Sequence, residues 1–147
     1  MKVCLVCSPG GHLRQLLRLL PVVGDAEYFF IVNNKIPLAP NFVGRTHFIT
    51  KAHRDWRIVL NLIEAFRILR RERPDVIIST GAGCAVPVSL VGRLAFGCRI
   101  LFIESFAAME RPSWTGRVMY WLAHRFAYQW EHQRRWYPKG VYGGQIF

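Results

Sequence analysis

The chain has 147 residues, with 20 Lys and Arg against 9 Asp and Glu, for a formal charge of +11. With 52% hydrophobic and 14% aromatic residues it can bury a full core, which excludes a disordered basic tail as the origin of the charge. The length fits a single domain, residues 1–147, whose charged surface attracts polyanions: nucleic acid, an anionic membrane face or phosphorylated substrates.

Lys2 to Cys7 predicts a buried first strand rather than a signal peptide, because no small-residue cleavage site follows a sustained apolar region. Ser8-Pro9-Gly10-Gly11 reads as a tight turn into a helix that carries Leu13, Leu16, Leu17 and Leu20. Tyr28 to Val32 predicts a second strand, followed by a Pro-containing loop and a third strand from His47 to Thr50. Arg54 to Arg73 is an amphipathic helix ended by Pro74, and Asp75 to Thr80 is the next strand. Gly81-Ala82-Gly83 breaks that strand, and Val86 to Phe96 forms a helix whose early Pro87 is tolerated in the first turn. Arg99 to Ile103 is a strand running into Glu104-Ser105-Phe106, and Ser113 is the expected N-cap of a helix from Trp114 to Leu122. Phe126 to Trp130 is a last strand, after which Gly, Pro and aromatic residues dominate to Phe147. The longest apolar run, Ala85 to Phe96, is broken by Pro87, Gly92 and Arg93, and falls short of the roughly 18 to 20 residues that cross a bilayer.

Strands alternating with helices, each strand too continuously apolar to have a wet face, predict a Rossmann-like parallel sheet with helices on both faces. Ligands bind such sheets outside the carboxyl ends of the strands, near the switch point of strand order. Three loops satisfy that rule: Ser8 to His12, Thr80 to Cys84, and Glu104 to Arg111. Cys4, Cys7, Cys84 and Cys98 lie in apolar runs and are expected as reduced, buried thiols; on a strand, Cys4 and Cys7 point to opposite faces and cannot converge. His47, His53, His124 and His132 show no ligand spacing, so no metal is expected. G-x-G-x-x-G is absent, which argues against a nicotinamide dinucleotide, and no cofactor is expected.

Gly10 and Gly11 let backbone approach a ligand, and the helix that follows offers unpaired N–H groups to an anion such as phosphate; glycine is also what a tight strand-to-helix turn needs. His12 at that helix start has its neutral form favoured, which fits a general base or a residue that caps the turn. Glu104, at the carboxyl edge of the sheet, is a second candidate base, against a salt bridge with Arg111 or a cap on nearby backbone. Around the Arg54 to Arg73 helix, apolar residues including Trp56, Ile63 and Phe66 spread over roughly 200°, wider than the approximately 100° stripe a core-facing helix needs. With Arg67 and Arg70 inside or beside that arc, the composition suits the headgroup region of an anionic membrane; a buried helix with snorkelling arginines is the other reading. No nucleic-acid-binding motif accompanies the charge, and nucleic acid is not the expected partner.

Ser8-Pro9-Gly10-Gly11-His12, the run from Arg73 to Gly83, Glu104-Ser105-Phe106 and Arg111-Pro112-Ser113-Trp114-Thr115-Gly116 together resemble the Alg14 family, including bacterial PssD-like subunits of exopolysaccharide glycosyltransferases. A more distant similarity runs to the N-terminal half of MurG. The resemblance implies the acceptor half of an inverting GT-B glycosyltransferase, active only with a PssE/Alg13-like nucleotide-sugar-binding subunit, which extends a polyprenyl-pyrophosphate-linked saccharide from a UDP-sugar. It also implies membrane contact through the helix before the Arg73-Pro74-Asp75 strand. Eukaryotic members carry an N-terminal anchor that this sequence lacks, so attachment is expected to be peripheral, on the cytoplasmic face of the inner membrane. In that frame His12 and Glu104 are the candidate bases. Gly10, Gly11, Thr80, Gly81, Gly83, Ser105 and Arg111 are the acceptor and phosphate contacts. Trp56, Ile63, Phe66, Arg67 and Arg70 are the membrane contacts. A non-catalytic adaptor that recruits the enzymatic partner is the competing role.

Overall fold

A computed structural model describes residues 1–33, 44–50 and 56–146. The Pro-containing loop after Asn33, together with His53, Arg54 and Phe147, lies outside the described residues. Among the described residues the strands are β1 (Lys2–Cys7), β2 (Glu27–Asn33), β3 (Thr46–Ile49), β4 (Val76–Ser79), β5 (Arg99–Ile103), β6 (Arg125–Tyr128) and β7 (Val141–Tyr142). They form one parallel sheet in the order β3-β2-β1-β4-β5-β6-β7. The switch point of this Rossmann-like order lies between β1 and β4, where the chain leaves one side of the sheet and returns on the other.

The helices are α1 (Gly11–Arg18), α2 (Leu20–Val23), α3 (Arg57–Glu72), α4 (Ala85–Phe96) and α5 (Trp114–Leu122). Side chains alternate along each strand, so β1 divides its own residues between two cores. Cys4 and Val6 join the core under α3, α4 and α5, and Val3, Leu5 and Cys7 join the one under α1 and α2. The Cys4 and Cys7 thiols therefore lie on opposite faces, as the strand reading requires. All four cysteines are free and buried, and burial pushes the Cys84 thiol up to about 12, which leaves it an inert core group.

The first helix ends earlier than the leucine spacing predicts. Pro21 lacks an N–H and its ring would strike the carbonyl of Leu17 in a continuous helix, so α1 stops at Arg18 and a separate turn, α2, begins at Leu20. The carboxyl end also contains more structure than its composition indicates. A 3₁₀ turn at Glu131–Arg135 leads to the two-residue edge strand β7. Tyr137, only 2% exposed, closes the core there.

Helix α3 departs most from the usual amphipathic plan. Its buried stripe is Asn61, Ala65, Leu69 and Glu72, and it is fastened by polar groups at both ends. Asn61 donates to the Thr50 carbonyl at 2.7 Å, and Glu64 accepts from the Thr50 backbone and hydroxyl at 2.9 and 2.8 Å. At the other end Glu72 pairs with Arg45 at 2.8 Å, His47 at 2.9 Å and Lys2 at 3.5 Å. Burial raises the Glu72 pKa, but the His47 hydrogen bond and the two cations outweigh it and hold the group below the usual carboxylate range. Because the buried stripe is narrow and only Leu69 in it is large and apolar, most of the other large apolar residues are left outside. Trp56 is 71% exposed, Ile63 45% and Phe66 43%, and Arg67 and Arg70 are exposed beside them.

Candidate functional site

The loops after β1, β4 and β5 meet around a cavity of about 410 Å³ lined by His12, Gly81, Ser105, Arg111, Ser113 and Thr115 among others. His12 stands in the first turn of α1, and its Nδ1 lies 2.9 Å from the Thr80 carbonyl. A carbonyl only accepts, so Nδ1 carries the proton of the neutral ring, and Nε2 is left with its lone pair. The Thr80 hydroxyl donates in return to the His12 carbonyl at 3.0 Å. Burial lowers the His12 pKa, with partial opposition from the Thr80 hydrogen bond and the Glu104 charge, so the ring favours the neutral form.

The turn after β4 is shaped around that imidazole. Gly81 has φ +127, a conformation other residues rarely adopt, and a Cβ there would lie 2.5 Å from His12 Cε1. Ser79 ties the turn to the sheet: its hydroxyl donates to the Val6 carbonyl at 2.8 Å and accepts from the Gly81 N–H at 3.2 Å. Thus Ser79 anchors the turn, Thr80 orients the ring and Gly81 makes room for it. Gly10, Gly11 and Gly83 are exposed and are not among the cavity's lining residues. Thr80 is buried and reaches the site through His12.

Glu104 lies beneath the cavity, fully buried, and is not a lining residue. Its Oε1 accepts from the Ser105 N–H at 2.9 Å and the Ser113 hydroxyl at 2.7 Å; its Oε2 accepts from the Tyr137 hydroxyl and, at 3.4 Å, from the Ser113 N–H. Burial and the hydrogen bond to Glu104 push the Tyr137 phenol well up, so it remains a donor. Ser113 also fills the predicted N-cap position, accepting from the Gly116 N–H at 2.8 Å. Gly116 allows the carboxylate to lie against the first turn of α5: a Cβ there would meet Glu104 Oε2 at 1.8 Å. The geometry of Glu104 is that of a backbone anchor, and its partners do not include Arg111.

Three buried glutamines complete the support. The Gln129 amide donates to Gln15 of α1 at 2.7 Å and to the Glu104 carbonyl at 2.9 Å, while Gln133 donates to the Ala108 carbonyl at 2.8 Å. The loop after β5 is thereby fixed to α1 and to the end of β6. The partners of Gln15 and Gln129 lie far away along the chain, so no local pattern reveals those two amides, whereas Gln133 also caps its own turn by accepting from the Gln129 and Trp130 N–H groups at 3.2 Å. Ser113 and Thr115, by contrast, stand within a motif that the sequence already singles out.

The family described as "Oligosaccharide biosynthesis protein Alg14 like" matches residues 50–146. The UDP-N-acetylglucosamine transferase subunit ALG14 of Mus musculus is 31% identical over 99% of this chain and 83% of the relative. The chain belongs to the Alg14 family. Its Homo sapiens relative of the same description is 24% identical over 99% of this chain and 83% of its own length. Among solved structures, MurG of Acinetobacter baumannii superposes with a TM-score of 0.72 at 16% identity, covering 88% of this chain and 41% of MurG. A UDP-N-acetylglucosamine 2-epimerase from Rickettsia bellii gives 0.75 at 12% identity, covering 99% of this chain and 45% of the epimerase. This Alg14-family chain thus spans less than half of each of these GT-B-fold proteins, and at such identity the likeness is one of fold. No helix among the described residues is long and apolar enough to cross a membrane.

Proposed function

We propose that this chain is the acceptor-binding subunit of a two-chain, inverting GT-B glycosyltransferase. With a PssE/Alg13-like subunit that binds the UDP-sugar, it extends a polyprenyl-pyrophosphate-linked saccharide in exopolysaccharide biosynthesis at the cytoplasmic face of the inner membrane. The observation that carries this reading is the His12 ring, held by Thr80 with Nε2 as its basic nitrogen, beside a cavity at the switch point of the sheet. The transferase-subunit description of the relatives supports it.

In this mechanism the acceptor hydroxyl attacks the anomeric carbon while His12 Nε2 takes its proton. The bond from that carbon to the UDP oxygen breaks, and UDP leaves with the electron pair on the face opposite the attack. The imidazolium so formed is stabilised by the Thr80 carbonyl and the nearby Glu104 charge, the two influences that oppose its burial. Glu104 serves as the anchor of the cavity wall, and Arg111 gives electrostatic support to the acceptor.

The test is reconstitution. Purified alone, the chain neither transfers sugar nor binds a UDP-sugar tightly; the partner subunit restores both, because a GT-B reaction needs a second wall to enclose the donor and exclude water. Robust transfer by the isolated chain, not raised by any partner, overturns the reading. The exposed end, with Val141 61% and Tyr142 50% exposed on the edge strand, is the proposed docking element. Deletion of residues 141–147 should abolish complex formation.

Membrane attachment in this reading uses more than α3. A groove between α3 and α4 is lined by Ile63, Phe66, Leu90 and Leu94, with Arg67 at its edge, and Leu94 is 75% exposed. Replacing Phe66 and Leu94 together with Ser should release the folded protein from anionic vesicles in a flotation assay. High salt should release it only in part, because inserted apolar area is not screened. Unchanged flotation of the double variant refutes the membrane face.

A further inference from the structure

Across Pro112 from the His12 cavity lies a second cavity of about 420 Å³, and Pro112 lines both. Its other walls are Arg117, Tyr120 and Trp121 of α5 and Arg135, Trp136 and Tyr137 after β6. None of its lining residues is acidic. The Tyr120 hydroxyl accepts from the Lys139 N–H, and the Tyr137 hydroxyl is given to Glu104. The charged chemistry offered to a ligand is therefore two guanidinium groups between indole walls. The Arg135 guanidinium stacks over the Trp136 ring at 4.1 Å, which restricts its fork before any ligand arrives.

We propose that this cavity is the subsite for the pyrophosphate of a lipid-linked saccharide whose sugar lies against His12 on the other side of Pro112. The proposal rests on the acceptor-binding reading above. It assigns the two negative phosphoryl groups to two planar donors that match them in bidentate fashion, where the His12 cavity has the single guanidinium of Arg111. It also moves the phosphate contact away from Gly10, Gly11 and Gly83, which do not line the His12 cavity, and leaves Gly81 at the sugar side. A chain attached to that pyrophosphate has apolar surface to follow: Trp121 at the cavity edge is 78% exposed, and α5 packs beside α4 with its exposed Leu94.

The first experiment is isothermal titration of the full chain with inorganic pyrophosphate. Wild type should bind, Arg117→Ala and Arg135→Ala should each weaken binding about tenfold or more, and Arg111→Ala should do less. Arg135→Lys, which keeps the charge and loses the fork, should fall between wild type and Arg135→Ala. Circular dichroism checks that each variant is folded. A short-chain prenyl pyrophosphoryl saccharide should displace pyrophosphate competitively, whereas the methyl glycoside of the same sugar and phosphatidylglycerol vesicles should not. In the assembled enzyme, Arg117→Ala should raise the acceptor KM with kcat little changed.

No pyrophosphate binding by wild type, equal binding by the arginine variants, or displacement by phosphatidylglycerol vesicles overturns the subsite. The two readings fail separately. If the complex transfers sugar while Arg117→Ala and Arg135→Ala are neutral, the subsite falls and the acceptor reading stands. If pyrophosphate binding requires both arginines and no complex transfers sugar, the anion site stands and the enzymatic reading falls.

Discussion

Replacing His12 with Ala should lower kcat of the assembled enzyme by about 10²- to 10⁴-fold, the range for loss of a positioned general base. The cavity retains Ser105, Arg111 and Ser113, so acceptor affinity should change far less than turnover. The pH profile supplies a second readout. Burial lowers the His12 pKa, so wild-type kcat/KM should rise with pH through an apparent value below the ordinary one near 6.5 and be level at neutrality. The His12→Ala profile should lose that limb. The same shift acts on stability with a defined sign: the folded state binds fewer protons at this ring than the unfolded chain. This contribution is therefore complete above about pH 6.5 and is lost as pH falls through the lowered value. A His12→Ala enzyme that keeps both its rate and its acid limb would remove His12 from the chemistry.

Gly116→Ala should destabilise the fold by about 3 kcal/mol or more, although Ala is intrinsically better in a helix by about 1 kcal/mol. The new Cβ would lie 1.8 Å from Glu104 Oε2 and 2.6 Å from the Tyr137 hydroxyl oxygen. Relief requires either moving α5 off the sheet or breaking hydrogen bonds of a buried carboxylate. Overpacking of a tight core typically costs about 1–3 kcal/mol, and a lost hydrogen bond to a charged group about 1.5–3. Together they exceed the gain in helix propensity. Urea unfolding measures the difference, and at roughly 2–4 °C per kcal/mol for a chain of this size the melting midpoint should fall by about 10 °C. Unchanged or increased stability would mean that Glu104 is not the anchor of this corner. Because Ser105 and Ser113 line the His12 cavity and both bond Glu104, acceptor binding should weaken together with stability.

Much of the architecture is local enough to be legible in the chain alone. Strands β1, β4 and β5 are continuous apolar runs bounded by Gly, Pro or Asp, and Ser113 is followed by a helical pattern. Such signals depend only on neighbours in sequence, so they indicate element type, the parallel sheet and hence the three loops at its carboxyl edge. The excess apolar arc of α3 is also visible, because counting residues around a helix needs no knowledge of its neighbours. Three features required the tertiary structure. The seat of α3 is the polar stripe of Asn61 and Glu72, since Thr50, Arg45 and His47 supply partners that turn two polar residues into inward ones. Glu104 serves as an anchor because Tyr137, 33 residues away, and the first turn of α5 converge on one carboxylate. The free nitrogen of His12 is Nε2 because Thr80, 68 residues away, places a carbonyl against Nδ1. In each case the sequence names a residue able to play several parts, and the choice among them falls to partners that only chain closure brings within hydrogen-bond distance, where burial makes an unpaired polar group too costly to keep.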